Sequence, residues 1–247
     1  MATLHLLGTG AALSGPERTT TMLAFENRGS VIVADCGGDV VQRLLAAGLD
    51  PSRITALILT HEHPDHAGGF PLFMEKIWLS GRRHPIPVCG PAAALGQARR
   101  SFESFRTGGW EGVPEIDWRE VPLDRGAGVW MDEQWRIRAA PGRHSVPVIG
   151  VRAEAVGGGA AVYSSDTECS GAITELARGA DVLAHEATGG FSGHSTAADA
   201  AAVAAEAGVG RLVLVHLPPE PDPDDLAAAR GRFPRLELGR DGDSLSF

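Results

Sequence analysis

The sequence predicts an α/β protein with a mixed β-sheet, and three observations support this fold class. Apolar runs with strand character fall into two groups along the chain, and helical segments follow each group. Residues 54–59 form a continuous apolar run, which is typical of a parallel strand buried on both faces. The chain has 247 residues, 43% of them hydrophobic, and we therefore interpret residues 1–247 as a single domain.

Local patterns predict the individual elements in chain order. In the first half of the chain we expect helices at 40–47, 66–79 and 91–106, and strands at 3–8, 21–26, 30–34 and 54–60. In the second half we expect helices at 170–178 and 196–207, and strands at 116–121, 135–140, 148–155, 160–164, 181–185 and 211–216. Gly48 should end the first helix. The helix over 196–207 should begin at a Ser195 or Thr196 cap and end at Gly208.

The loop after the strand at 54–60 carries the strongest functional pattern. Within six positions it places four side chains that can bind metals: His61, His63, Asp65 and His66. Imidazole is a good zinc ligand, and a carboxylate in the same loop suits a second zinc or a harder divalent ion. Ligands this close in sequence cannot easily converge on one tetrahedral ion. The spacing therefore favours two metals at the carboxyl end of a strand, where open α/β sheets place their sites.

Other side chains with similar chemistry lie at predicted strand ends or in polar turns. They are His144, Asp166, His185, His194 and His216. His5 lies within the N-terminal strand, and His84 precedes a proline in a basic turn, so we expect structural positions for both. A structural hydrogen bond is also the expectation for His185.

These residues resemble those of the metallo-β-lactamase-fold hydrolases, and in particular the ribonuclease Z and cyclic phosphodiesterase branch. The pattern His-x-His-x-Asp-His matches residues 61–66, and the remaining metal ligands of the superfamily match His144, Asp166 and His216. The segments at 185–188 (His-Glu-Ala-Thr) and 194–196 (His-Ser-Thr) are similar to paired motifs of that branch. Asp35 matches a buried Asp that supports a ligand.

The resemblance implies a fold, a cofactor and a mechanism. The fold is a four-layer αβ/βα sandwich, and the cofactor is a pair of divalent metal ions, Zn²⁺ first, with Mn²⁺ or Fe²⁺ as alternatives. One metal would be held by His61, His63 and His144, the other by Asp65, His66 and His216, with Asp166 bridging them. A hydroxide that bridges the metals would attack a phosphodiester, and Asp65 would orient it.

His194 is the candidate general acid for the leaving group. Glu186 would hydrogen-bond to it and raise its pKa, as a neighbouring carboxylate does for an imidazole. The alternative for His194 is a capping or packing position at the start of the helix over 196–207.

The sequence also departs from the patterns of its relatives. Members that process tRNA carry a long arm between the residues equivalent to His144 and Asp166, which here are only 22 positions apart, so the tRNA-binding arm is lacking. Ser165 stands where the branch usually has glycine. The bridging position holds Asp166 rather than the Cys of true β-lactamases, and no helical domain for glutathione follows His216.

Composition limits the partners and the location. A formal charge of −9 argues against strong non-specific binding of nucleic acid, although the arginines between 82 and 106 leave local phosphate contacts open. No run approaches the ~18 apolar residues of a membrane helix, and no secretory signal is visible. Three unpatterned cysteines indicate a reducing compartment, so we expect a cytoplasmic protein. The aromatic stretch 102–110 could serve a homodimer interface.

Three classes of function remain open from the sequence. The first is a phosphodiesterase that acts on a small or cyclic phosphodiester or a short RNA end. The second is a metal-dependent hydrolase of a lactone, thioester or related carboxyl derivative, which would not need His194. The third is a metal-binding module without catalysis, which nothing in the complete ligand pattern favours. We expect the first, and the effect of His194→Ala distinguishes it from the second.

Overall fold

Fourteen strands form two seven-stranded sheets in the computed structural model, which describes all 247 residues. The first sheet contains β1 (Thr3–Gly8), β2 (Met22–Asn27), β3 (Ser30–Ala34), β4 (Ile54–Ile58), β5 (Ile86–Gly90), β6 (Ile116–Glu120) and β14 (Ser244–Ser246). Their spatial order is β14-β1-β2-β3-β4-β5-β6, and the neighbours from β3 to β6 are parallel. The strand over the apolar run at 54–59 is therefore a parallel strand in the interior of a sheet, as its composition predicts.

The second sheet is built from the following half of the chain. It contains β7 (Ala127–Met131), β8 (Trp135–Pro141), β9 (Ile149–Ala155), β10 (Ala160–Tyr163), β11 (Val182–Glu186), β12 (Arg211–Val215) and β13 (Leu236–Leu238). Their order is β13-β12-β11-β10-β9-β8-β7, with β10 to β13 parallel. The carboxyl ends of β8, β10, β11 and β12 consequently lie at one edge of this sheet, because β9 runs antiparallel between β8 and β10.

Seven helices cover the outer faces. Those on the first sheet are α1 (Val40–Ala46), α2 (Pro64–Ala67), α3 (Phe70–Leu79) and α4 (Ala92–Glu103), with single 3₁₀ turns at Pro51–Arg53 and Thr107–Gly109. Those on the second sheet are α5 (Gly171–Ala177), α6 (Ala197–Ala207) and α7 (Pro223–Arg232). Thr196 caps α6 in a reciprocal capping box with Asp199, and Gly208 ends it with φ of 66°, as expected for a left-handed cap.

Three hydrophobic clusters hold these layers together. The largest contains 28 buried residues from the facing sides of both sheets, and Phe25 and Trp135 meet in it edge to face with ring centroids 6.4 Å apart. The second joins the first sheet to α1, α3 and α4, and the third joins the second sheet to α5, α6 and α7. The layers are therefore helix, sheet, sheet, helix, and the expected αβ/βα sandwich is confirmed.

The structure differs from the expected elements in two ways. The single helix expected over 66–79 is divided into α2 and α3 at Gly68 and Gly69. A side chain at Gly69 would lie 2.4 Å from the Cys36 carbonyl oxygen, so this bend brings the two backbones together. Five further elements, β5, β7, α7, β13 and β14, were not expected from the sequence. The two last strands have three residues each, and α7 buries only Ala229, so their apolar periodicity is weak.

None of the helices combines the length and the apolar character that a bilayer crossing requires.

The three cysteines form no disulfide: Cys36 and Cys89 are buried, and Cys169 is exposed. Burial raises the pKa of the Cys36 thiol well above its ordinary value and that of Cys89 to about 11. These two side chains are therefore protonated, inert thiols at neutral pH.

Candidate metal centre

The residues expected to bind metals meet where strands of both sheets end. The loop from Thr60 to His66 follows β4 of the first sheet. Three residues come from the second sheet, since His144 follows β8, Asp166 follows β10 and His216 follows β12. The site thus lies across the edge of the sandwich and receives side chains from both halves of the chain.

One group of donor atoms contains His61, His63, His144 and Asp166. The donor atoms of these four residues lie within 4.8 Å of one another. His63 Nδ1 is 3.2 Å from His61 Nε2 and 3.1 Å from His144 Nε2. Asp166 Oδ2 is 3.8 Å from His61 Nε2 and 4.0 Å from His144 Nε2. Three imidazole nitrogens and one carboxylate oxygen therefore surround a common point.

A second group contains Asp65, His66 and His216. Asp65 Oδ2 lies 3.5 Å from His66 Nε2 and 3.2 Å from His216 Nε2. The other oxygen of Asp166, Oδ1, lies 3.4 Å and 3.5 Å from the same two nitrogens. The two oxygens of Asp166 thus face different groups, and these groups contain the same residues as the two ligand sets expected from the sequence.

The outward ring nitrogens of these histidines are held by hydrogen bonds. His66 Nδ1 donates to Asp35 at 2.8 Å, and His144 Nδ1 donates to the carbonyl of Gly193 at 2.7 Å. His216 Nδ1 donates to the hydroxyl of Thr188 at 2.6 Å, since that hydroxyl donates onward to a carboxylate. Because Nδ1 carries the proton in each of these rings, Nε2 presents its lone pair to the centre.

This donor arrangement fits divalent cations. The lone pairs of His66 Nε2 and His216 Nε2 face each other at 3.3 Å, and without a cation between them they would repel. Asp166 Oδ1 is buried and has no hydrogen-bond partner, which is costly for a carboxylate unless a positive charge compensates it. Burial alone would raise the pKa of Asp166, but positive charge on protonated His216 and His66 holds it well below its ordinary value, and bound cations would supply the same charge to neutral rings. A set of imidazoles and carboxylates is typical of zinc sites.

Comparison with known proteins places the chain in a family. A family model described as the beta-lactamase superfamily domain matches residues 31–217. Ribonuclease Z of Mycolicibacterium paratuberculosis is 31% identical over 274 positions, which cover 98% of this chain and 96% of the relative. The chain belongs to the metallo-β-lactamase superfamily, in its ribonuclease Z-like branch. That alignment is longer than the 247 residues of this chain, so the relative carries inserted residues that this member lacks.

Solved structures agree with this assignment. Human tRNase Z, short form, superimposes with a TM-score of 0.81 at 27% identity, over 99% of this chain and 98% of that one. YhfI from Bacillus subtilis, a metallo-β-lactamase fold protein, has the same TM-score at 21% identity, over 99% and 98% of the two chains, and shows the shared fold alone. As a member of this superfamily, the chain is a metal-dependent hydrolase.

Backbone strain in this metallo-β-lactamase member is concentrated at the site. Four residues other than glycine have positive φ, and three of them lie here: Asp35 at 64°, Ser165 at 53° and His216 at 51°. This conformation explains why the branch usually has glycine at position 165, since glycine adopts it without cost. Ser165 offsets part of the cost, because its hydroxyl donates to Thr60 Oγ1 at 2.7 Å.

Glu186 lies in the first of the two branch motifs and is completely buried. Its Oε1 accepts hydrogen bonds from Thr167 N at 3.2 Å, His194 Nδ1 at 3.1 Å and Ser195 N at 2.9 Å. Its Oε2 accepts from both N and Oγ1 of Thr188, each at 2.9 Å. The Glu186 carboxylate therefore forms hydrogen bonds at both ends of the loop between β11 and α6. The spacing of the two motifs alone does not reveal these contacts.

His194 stands beside these two donor groups and forms a third cluster of possible ligand atoms with Asp166 and His216. Its Nδ1 is bound to Glu186 and lies 4.0 Å from Asp166 Oδ2, so Nε2 is the nitrogen available to a substrate. Burial lowers the pKa of His194, but the hydrogen bond and the charge of Glu186 outweigh it and raise the pKa above its ordinary value. The cap of α6 is Thr196, so the capping alternative for His194 is wrong.

The other histidines lie outside the donor groups. His185 is fully buried, and its Nδ1 donates to the carbonyl of Glu186 at 2.8 Å. His5 is hydrogen-bonded to Ser244 and Glu26, and His84 contacts the carbonyl of Pro85.

A pocket of about 310 Å³ opens onto the centre. Asp65, His194 and His216 line its polar side, and no lysine or arginine lines it. Leu13 and Phe191 line its apolar side, and neither was expected at the site from the sequence. Phe191 is a lone aromatic residue among glycines, in the segment Gly189-Gly190-Phe191-Ser192-Gly193 between the two branch motifs, and this pattern could have located it.

Proposed function

We propose that this chain is a dinuclear metal-dependent phosphodiesterase that hydrolyses a small or cyclic phosphodiester or an RNA end. The observation that carries the proposal is the His194–Glu186 pair beside Asp166, with Glu186 3.1 Å from the imidazole. A proton donor next to a two-metal donor set suits an ester whose leaving oxygen needs protonation. The relatives support it by their names, ribonuclease Z and tRNase Z.

In this proposal zinc is the metal, and two ions are held by the seven residues of the two donor groups. When bound, the ions supply Lewis acidity that activates water and the phosphoryl group. Asp166 would contact both ions, because one of its oxygens faces the first donor group and the other faces the second. Asp65 lines the pocket, where its carboxylate can accept a hydrogen bond from the attacking water and orient it.

In this proposal, His194 protonates the leaving group. In-line attack at phosphorus expels an alkoxide, which is a poor leaving group unless it receives a proton. Protonated His194 supplies that proton from Nε2 while Nδ1 stays hydrogen-bonded to Glu186. The hydrolysis of a carboxyl derivative such as a lactone or thioester would depend less on proton donation by the His194–Glu186 pair.

The absence of an arm favours a small substrate. Between His144 and Asp166 the chain forms only β9, β10 and their turn. The formal charge of −9 also disfavours broad binding of a polynucleotide, so a short RNA end is the largest substrate in the proposal. We place the enzyme in the cytoplasm on account of its unpaired cysteines. The homodimer expected from the aromatic stretch stays a prediction.

Hydrolysis of bis-p-nitrophenyl phosphate, a lactone and a thioester should be compared on one preparation, with its metal content measured. We expect turnover of the phosphodiester, its loss on chelation, and two metals per chain. Strong turnover of the lactone or thioester with an inert phosphodiester would overturn the proposal in favour of a carboxyl-derivative hydrolase.

A further inference from the structure

The pocket beside the metal centre has an exposed apolar side. Leu13 is 77% exposed and Phe191 is 69% exposed, and both line the pocket that also contains Asp65 and His194. Single exposed apolar residues are ordinary on protein surfaces. Two such residues that line one pocket beside the metal centre, each from a different loop, form a surface that a ligand can cover.

Both loops are fixed by backbone hydrogen bonds. Ala11, two residues before Leu13, donates its N–H to the carbonyl of Leu217 at 2.9 Å. Phe191 donates to the carbonyl of Gly189 at 2.8 Å and accepts from the N–H of His194 at 3.0 Å. Glu186 ties the base of the second loop. The phenyl ring is therefore presented by an anchored turn, which lowers the entropy lost when a ligand packs on it.

The charges around the pocket limit what that ligand can be. No lysine or arginine lines the pocket. Arg143 lines a separate neighbouring pocket with His144, and its guanidinium is paired with Glu168 at 3.3 Å. A chain of several phosphates needs cations along its path. Here the compensation for phosphate charge comes from cations at the metal donor groups and from protonated His194, which is enough for one phosphate.

We propose that Leu13 and Phe191 form a clamp for a planar, apolar ring, and that the natural substrate carries a single phosphate next to such a ring. This inference rests on the proposed phosphodiesterase function and narrows its substrate class. A pocket of about 310 Å³ is at the small end of ligand sites, which suits one ring and one phosphate. The ring stacks on Phe191 and contacts Leu13 while the phosphate occupies the metal centre.

The test compares two probes that differ only in the ring, phenylphosphonate and methylphosphonate. Their binding to the metal-loaded enzyme is measured by calorimetry, which does not depend on turnover. We expect phenylphosphonate to bind at least tenfold more tightly, since stacking of one ring on an aromatic side chain is worth about tenfold to a hundredfold in affinity. Phe191→Ala should reduce this preference to about twofold and leave the affinity for methylphosphonate unchanged.

Phe105→Ala is the matched control, because Phe105 is 58% exposed and lies outside the pocket. It should keep the full preference for phenylphosphonate, and Leu13→Ala should lose part of it. Equal binding of the two probes by the unaltered enzyme, or a preference that survives Phe191→Ala, would overturn the clamp. If phenylphosphonate binds through Phe191 but no phosphodiester is hydrolysed, the clamp stands and the proposed function fails.

Discussion

Two buried carboxylates in this enzyme have opposite hydrogen-bonding states. Glu186 accepts five hydrogen bonds, so its charge is fully compensated by the protein. Asp166 has one oxygen, Oδ1, without any hydrogen-bond partner, and both of its oxygens face imidazole lone pairs. The first carboxylate therefore organises a loop, whereas the second needs cations. Sequence alone assigned both to the site but could not show this difference.

His194→Ala tests the general acid. For a phosphodiester with an alkoxide leaving group, kcat should fall about 10²- to 10⁴-fold, because no other group donates the proton. With a nitrophenolate leaving group the decrease should be small, since that anion departs unprotonated. Steady-state kinetics on both substrates measure the difference. The metal content should be unchanged, and a variant that loses metal would show that His194 is a ligand or a structural residue.

Ser165 tests the backbone strain at the centre. Ser165→Ala keeps a side chain at φ of 53° and loses the hydrogen bond to Thr60, whereas Ser165→Gly loses the bond but relieves the strain. The glycine variant should therefore be more stable than the alanine variant by about 1 kcal/mol. Urea unfolding of both metal-loaded variants measures this difference in the free energy of unfolding. Equal stability would mean that position 165 carries no strain.

At the scale of elements, the parts that could be predicted are those with strong local patterns. The apolar run of β4 and the ligand-rich loop after it identified the first half of the site, because a parallel strand and its carboxyl end have a recognisable composition. The missed elements, such as α7 and β13, are stabilised by contacts distant in sequence. The same holds for the loop between β11 and α6, whose hydrogen bonds to Glu186 leave no local pattern.

Glu186→Gln tests whether this carboxylate both positions His194 and stabilises the loop between β11 and α6. The amide keeps one oxygen acceptor and replaces the other with a donor, so some of the five donors around it lose their partner. Each buried unsatisfied group costs about 1–3 kcal/mol. We expect kcat to fall by less than in His194→Ala, because the imidazole remains, and the free energy of unfolding to fall by about 3 kcal/mol.

His194→Ala is the comparison for that experiment, because it removes only one of the five donors. Thermal unfolding and kinetics on the two variants separate the effects. A Glu186→Gln enzyme with unchanged stability would show that Glu186 acts only through His194.

At the scale of the whole molecule, the centre joins two halves that are otherwise held together by apolar packing. Residues 61–66 belong to the first sheet's side, whereas His144, Asp166 and His216 come from the second. Between the sheets lies one continuous cluster of 28 buried residues. Because each donor group contains residues from both sides, bound metals would act as cross-links between the halves and favour unfolding in one transition.

Removal of the metals should therefore lower the stability of the entire fold. At a metal concentration about 1,000 times Kd, each ion contributes about 4 kcal/mol, so two ions contribute about 8 kcal/mol, and for a chain of this size each kcal/mol shifts Tm by about 2–4 °C. We expect a chelator to lower Tm by about 20 °C and added Zn²⁺ to restore it, as measured by scanning calorimetry. Asp166→Asn, which weakens both donor groups, should respond to the chelator by less than half as much. A chelated enzyme that has lost its metal but unfolds at the original Tm would show that the ions do not couple the two sheets.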